Sequence, residues 1–288
     1  MRILILGMGH VGKALGSRLR GNGHKVIGTT TTPAKVEALQ DFADEVLVLK
    51  GHEADKVAAA AKDVDLIIVT VAPNVKNTRT REERHQHYRQ TLVETCSSAA
   101  ASCERLIFLS SFSVYGDGGE GNDPITEQTP TSNHDEPSSL YYQQAEEVVL
   151  ARSGGCVLRF PDMYGAPGDM TFPERVKLAH SYFGGKALFG ADALLYAIHF
   201  DDVVSAVVHA IDHKLQGIFN VCDNERIPAS NARVFDAICD HEGLSRLEFL
   251  DQIKAPNRRI SADKIYQSGY RVAHGDPNAQ YLSETESA

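Results

Sequence analysis

Gly7, Gly9 and Gly12 stand at GxGxxG spacing within LILGMGHVGKAL, directly after an apolar run and at the opening of a helical pattern. In that setting the three glycines serve a tight turn, close backbone approach to a pyrophosphate and close helix–strand packing. The helix N-terminus behind them offers free N–H groups and the positive end of a dipole. The loop Gly7, Met8, Gly9, His10, Val11 and Gly12 is therefore the expected seat of a dinucleotide. Further along, Ser111 ends the apolar run RLIFLSS, and SSLYYQQAEEVVL heads a helix with Tyr141 and Tyr142. A tyrosine at such a helix start can exchange a proton with a substrate. With a pKa of about 10 a tyrosine is a poor base near neutral pH unless a cation stands beside it. The stretch from Ser138 to Leu150 contains no lysine or arginine.

The choice between NAD and NADP is read at the end of the second strand, where an acidic residue would bind the ribose hydroxyls. KVIGTTTTPAK has none. Thr29, Thr30 and Thr31 supply hydroxyls and Lys35 a cation, so a 2′-phosphate meets no repulsion and NADP is favoured over NAD, without the arginine that would grip the phosphate. The fourth strand ends in TVAPN, which sets Val71, Ala72 and Pro73 beside the cofactor at the carboxyl edge of the sheet.

These residues need a scaffold that gathers strand ends. The first part of the chain alternates short apolar runs (RILILG, KVIGT, EVLVL, DLIIVTVA, RLIFLSS) with longer helical patterns. Strands without polar interruption are expected where helices cover both faces of a sheet. The fold class is α/β, a Rossmann-type doubly wound parallel sheet with a smaller C-terminal substrate lobe. Residues 1–163 form the expected dinucleotide-binding domain and 164–275 the lobe, with a return to the sheet near 217–223 and a flexible tail over 276–288. Between them, Gly116 to Pro137 is polar and acidic, a surface loop that either covers a ligand or merely connects.

Composition narrows the partners. The 288 residues, 42% hydrophobic and 23% charged, suffice for a large domain with a lobe. Twenty-nine basic against 38 acidic residues give a net charge of -9, which speaks against nucleic acid and anionic membranes and for a small-molecule substrate. Five scattered cysteines, without CxxC or a cysteine–histidine cluster, predict neither disulfides nor a metal site and fit a cytoplasmic protein. MRILILG is too short for a membrane span and reads as a buried strand.

Four segments in order, LSSFSVYGDGG, CVLRFPDMYGAPG, AIHFDDVVSAVVHAI and GIFNVCDNERI, resemble the SSxxVYG, LRxxxxYGP, IHVDDxAxA and GxYNVxD segments of the extended short-chain dehydrogenase/reductases. These form the NAD-dependent epimerase/dehydratase superfamily. The resemblance is to atypical members, which open with GxGxxG rather than GxxGxxG. It implies that Ser111 hydrogen-bonds a substrate carbonyl or hydroxyl, and that His199 and Asp202 tie the second lobe to the sheet. Arg159 either meets a charged substrate or holds its strand to neighbouring loops. Arg258 and Arg259 either face phosphate or carboxylate or lie on a solvated surface. A homodimer through the helical segments near Arg81 to Ser102 and Tyr141 to Arg152 is likewise implied.

The sequence departs from this family at its acid–base helix. The family carries YxxxK there, its lysine lowering the tyrosine's pKa. Four residues after Tyr141 is Ala145, and four after Tyr142 is Glu146. Alignment on the AE of QQAEEVVL puts Ser138 at the tyrosine position and Tyr142 at the lysine position; a shift by one turn restores Tyr141 or Tyr142. In every register the cation is missing. Two readings follow: an atypical reductase or epimerase/dehydratase acting on a small carbonyl or sugar-like substrate, or a dinucleotide-binding sensor with little or no turnover.

Overall fold

Arg2–Leu6 opens the chain as strand β1, each residue from Ile3 to Leu6 no more than 1% exposed. The computed structural model describes residues 1–285. After β1 come helix α1 (His10–Gly21), β2 (Lys25–Thr30), α2 (Val36–Leu39), β3 (Glu45–Val48), α3 (Ala54–Ala60) and β4 (Leu66–Val69). Helix α4 (Arg81–Tyr88) continues through a π-helical segment, Arg89–Glu94, into α5 (Thr95–Ser102). Then follow β5 (Arg105–Ser111), α6 (Pro137–Leu150), β6 (Gly154–Phe160), β7 (Asp162–Tyr164), α7 (Phe172–Phe183), β8 (Lys186–Phe189) and β9 (Ala197–His199). The chain ends with α8 (Phe200–Asp212), β10 (Gly217–Asn220), α9 (Asn231–Glu242), β11 (Glu248–Ile253), α10 (Asp263–Gln267) and α11 (Ala279–Thr285).

A seven-stranded parallel sheet runs β10-β6-β5-β4-β1-β2-β3. The chain winds outward from β1 to β3, returns to β4 beside β1, and winds the other way. The carboxyl ends of β1 and β4 thus flank the switch point, where open α/β sheets leave a ligand crevice. Leu6 pairs with Val69 at that edge. Leu4, Leu6, Ile67, Val69, Leu106 and Phe108 join residues of α3, α5 and α6 in one buried cluster, which is why these strands read as unbroken apolar runs.

The chain divides into two compact units: residues 1–114, 133–159 and 203–219 form the first, and 115–132, 160–202 and those from 220 onward the second. The first contains the sheet strands. The second has its own buried cluster, with Phe172, Val176, Val234 and Ile238 at its centre, and two parallel pairs, β8 with β11 and β7 with β9.

Several boundaries differ from the expected ones, among them residues 203–216, which group with the first unit rather than the lobe. Residues 115–132 belong to the second unit because Ile125 bridges Ile260, donating to the Arg259 carbonyl and accepting from Ser261, each at 2.8 Å. Arg258 secures the same loop through the carbonyls of Gly118 and Asp123. The expected flexible tail instead contains α11, with Tyr281 and Leu282 packed on the second unit's cluster; residues 286–288 of that segment lie outside the described residues. Two apolar side chains in a polar segment give that helix a face to bury.

Candidate functional site

Gly7 has φ +108°, and a Cβ there would lie 2.9 Å from Val71 Cγ1 and 3.0 Å from Thr70 Oγ1. A Cβ on Gly12 would lie 2.1 Å from the Gly7 carbonyl oxygen. Both positions exclude a side chain because protein already fills the space. Gly9 differs: a Cβ there meets nothing within 4 Å. Gly9 is also the N-cap of α1, without a side-chain cap and without an acid in the first turn. Uncapped N–H groups facing open space suit an anion, and the absence of a Cβ lets it come close.

Two hydroxyls brace this turn. Thr29, 3% exposed, accepts from Gly7 N at 2.9 Å and donates to the Ile5 carbonyl at 3.1 Å. Thr70, which the sequence reading did not single out, donates to the Gly7 carbonyl at 2.5 Å. Thr29 thus spends its hydroxyl on the loop itself. Thr31 and Lys35 are exposed, and Thr30 Oγ1 accepts from Thr32 N at 3.2 Å. Met8 is buried, its side chain filling the space beside Gly28, Val11 is buried and His10 exposed. Beyond β4, Val71 and Pro73 are half-buried and Ala72 is exposed.

Ser111 ends β5 half-buried, and its Oγ accepts the backbone N–H of Ser113 at 3.1 Å. That bond uses a lone pair and leaves the hydroxyl proton for another acceptor. Ser113 Oγ in turn donates to the Ser138 carbonyl at 2.7 Å, joining the β5 turn to the start of α6. The preceding residue, Ser110, turns inward and donates to Glu146 Oε1 at 2.5 Å. Arg159 on β6 meets the same carboxylate with Nε at 2.9 Å and Nη2 at 2.6 Å.

This buried carboxylate fixes which side of α6 faces the sheet. Ser139, Ala145, Glu146 and Val149 are buried on it. Tyr142, one turn before Glu146, stacks on Phe108 at 6.0 Å between centroids and packs on the core cluster; burial pushes its hydroxyl well above the ordinary tyrosine pKa. Tyr141 turns toward α4, its hydroxyl 3.2 Å from His85 Nδ1. Arg81 Nε donates to His85 Nε2 at 3.3 Å, and the Arg81 guanidinium pairs with Asp135. Arg81, His85, Arg89, Asp135 and Tyr141 help line a cavity of about 740 Å³. Among the sequence candidates, then, Ser111 stands at a strand end, Tyr141 beside an imidazole, Tyr142 in the core and Arg159 on Glu146.

Glu146 and His85 were not expected from the sequence. A signal for Glu146 was present: an acid on the apolar face of α6 together with an arginine inside the buried strand CVLRF, two charges that a core admits only as a pair. In the second unit, Asp202 accepts from the N–H groups of Ala273 and His274, and Tyr270 donates to its carbonyl. His199 stacks on His274 at 3.8 Å between centroids. Arg259 Nη2 donates to the Asn224 carbonyl at 2.8 Å. No described helix is long and apolar enough to cross a membrane.

Protein YeeZ of Escherichia coli strain K12 is 27% identical over 241 residues, 81% of this chain and 80% of that protein. A short-chain dehydrogenase/reductase superfamily protein from Agrobacterium tumefaciens, solved with NAD bound, superposes with a TM-score of 0.72 at 20% identity, over 100% of this chain and 96% of that one. A UDP-glucuronic acid 4-epimerase from Bacillus cereus superposes with a TM-score of 0.74 at 16% identity, over 99% of this chain and all (100%) of that one. At these identities the structural likeness concerns the fold. Residues 3–222 match the NAD dependent epimerase/dehydratase family. With that match over most of its length, the chain belongs to the NAD dependent epimerase/dehydratase family.

Proposed function

We propose that this protein binds NADP or NAD at the Gly7–Gly12 loop and acts on a small carbonyl or sugar-like substrate as a reductase or epimerase/dehydratase. The observation that carries the reading is the bare N-terminus of α1 at Gly9, opening on free space at the switch point of the sheet. Gly9, His10, Val11 and Gly12 would hold the pyrophosphate, and Val71, Ala72 and Pro73 would border the nicotinamide end. NADP is favoured because no acid stands between the end of β2 and Lys35, while Lys35 is exposed there. Once bound, the dinucleotide supplies hydride transfer.

The chain's own residues orient the substrate and handle the proton. Ser111, with its hydrogen free to donate, orients a carbonyl oxygen. Tyr141 is the better placed of the two tyrosines to give up a proton. Arg81 occupies His85 Nε2, so the imidazole hydrogen sits on Nδ1 and points at the tyrosine oxygen.

One observation supports a second reading, a dinucleotide-binding sensor with weak turnover. Tyr142 stands four residues before Glu146, where the family lysine is expected, and its raised pKa makes it unfit to act as a base near neutral pH. Purified protein titrated with NADPH and NADH, then assayed for NADPH consumption with a panel of ketones and keto-sugars, separates the two. Binding with consumption supports the enzyme, and binding without it supports the sensor. Absence of binding to either nucleotide overturns both.

A further inference from the structure

His199 at the end of β9, Asp201 in the first turn of α8 and His274 ahead of α11 bring one donor atom each to within 4.8 Å of one another. All three belong to the second unit. His199 Nδ1 lies 3.7 Å, and His274 Nε2 4.0 Å, from Asp201 Oδ2. Bonds of about 2.0–2.1 Å in a tetrahedral zinc site set ligand atoms roughly 3.3–3.4 Å apart, so the two pairs to Asp201 must close by about half an ångström. The Asp201 side chain is 66% exposed and has room to turn.

The hydrogen bonds around the cluster leave the His274 imidazole ready to coordinate. Asp202, 1% exposed, accepts from the N–H groups of Ala273 at 2.9 Å and His274 at 3.1 Å. Held in this way, it takes His274 Nδ1 at 2.9 Å. A carboxylate in that position keeps the ring proton on Nδ1 and presents the Nε2 lone pair outward, the usual outer support of a metal-binding histidine. His199 Nδ1 accepts the Asp201 N–H at 3.2 Å with its one lone pair, so a metal bound there replaces that hydrogen bond. The rings stack with planes 20° apart, and because a metal lies in the plane of each imidazole it binds, loading turns one ring out of the stack.

We propose that His199, Asp201 and His274 form a binding site for a divalent cation of the zinc type, clamping the His274 segment to β9 and the start of α8. Two imidazoles and one carboxylate select zinc, cobalt or nickel over magnesium and calcium, which prefer all-oxygen sets. The proposal is independent of the dinucleotide site.

The test is titration of the metal-free, untagged full chain with Co²⁺, followed by optical absorption, with Zn²⁺ as competitor. Wild type takes up one equivalent and its thermal midpoint rises with Zn²⁺. Asp201→Asn and His274→Ala bind more than about tenfold more weakly. Asp201→Asn replaces an exposed side chain, and an unchanged metal-free melt shows that it folds. His213→Ala is the control, since His209 and His213 also stack one turn apart on α8; it binds as wild type does. Absence of saturable binding overturns the proposal. Binding unchanged in Asp201→Asn and His274→Ala, or lost in His213→Ala, overturns it equally.

Discussion

Glu146 on α6 and Arg159 on β6 form a two-point ion pair whose side chains are 4% and 3% exposed, and Ser110 donates to the same carboxylate. The pair joins helix, strand and the residue before Ser111 in one buried contact. Removing the charge of one member leaves the other's charge uncompensated by it in the core, a cost of about 3–5 kcal/mol. Glu146→Gln is therefore expected to lower unfolding free energy in urea by that order, whereas Glu146→Leu with Arg159→Leu together loses less. Single and double variants of equal stability would contradict this account.

Ser111→Ala removes a hydroxyl that, among the described residues, accepts a backbone N–H within its own turn. The fold and the nucleotide loop are untouched, so NADPH affinity is expected to stay near wild type. Turnover of any substrate found in the panel should fall on the order of 10²-fold, the usual loss when one carbonyl-orienting donor goes. Steady-state kinetics beside nucleotide titration checks it, and full activity in the variant removes Ser111 from the mechanism.

Tyr142 predicts an alkaline signature. Above pH of about 10 the unfolded chain releases this proton while the folded chain, with its raised pKa, keeps it. Stability contributed in this way is complete below pH of about 10 and is lost as pH rises toward the folded value. The other buried tyrosines and thiols are shared with Tyr142→Phe, so wild type should lose stability faster than the variant, by at most about 1.4 kcal/mol per pH unit. Chemical denaturation of both proteins from pH 8 to pH of about 11 measures the difference. Parallel curves would place the Tyr142 hydroxyl outside the core.

Much of the scaffold was legible in the sequence because its causes are local. RILIL and LIIV are apolar throughout since both faces of the strands are covered, and three glycines at fixed spacing mark one turn. The side-chain roles were less legible because they depend on partners far along the chain. Thr29 offers a hydroxyl in the sequence, yet Gly7 and Ile5 consume it. Tyr141 and Tyr142 are adjacent, yet the helix sends one to His85 and the other to Phe108. The missing lysine was visible as a gap; that α4 sets Arg81 and His85 beside Tyr141 was not, because α4 and α6 are joined only by folding. His199 and His274 likewise show no metal-ligand spacing, since Asp202 brings their segments together.

The central claim, that the Gly7–Gly12 loop is a dinucleotide site, is tested most directly at Gly9. Gly9→Ala places a methyl group where the structure has nothing within 4 Å, so the variant should melt within about 1 kcal/mol of wild type. The same methyl group occupies the approach to the α1 N-terminus, so titration with NADPH and NADH should show binding in wild type that is lost or at least about tenfold weaker in Gly9→Ala. No binding by wild type, or equal binding by the two proteins, would contradict the account.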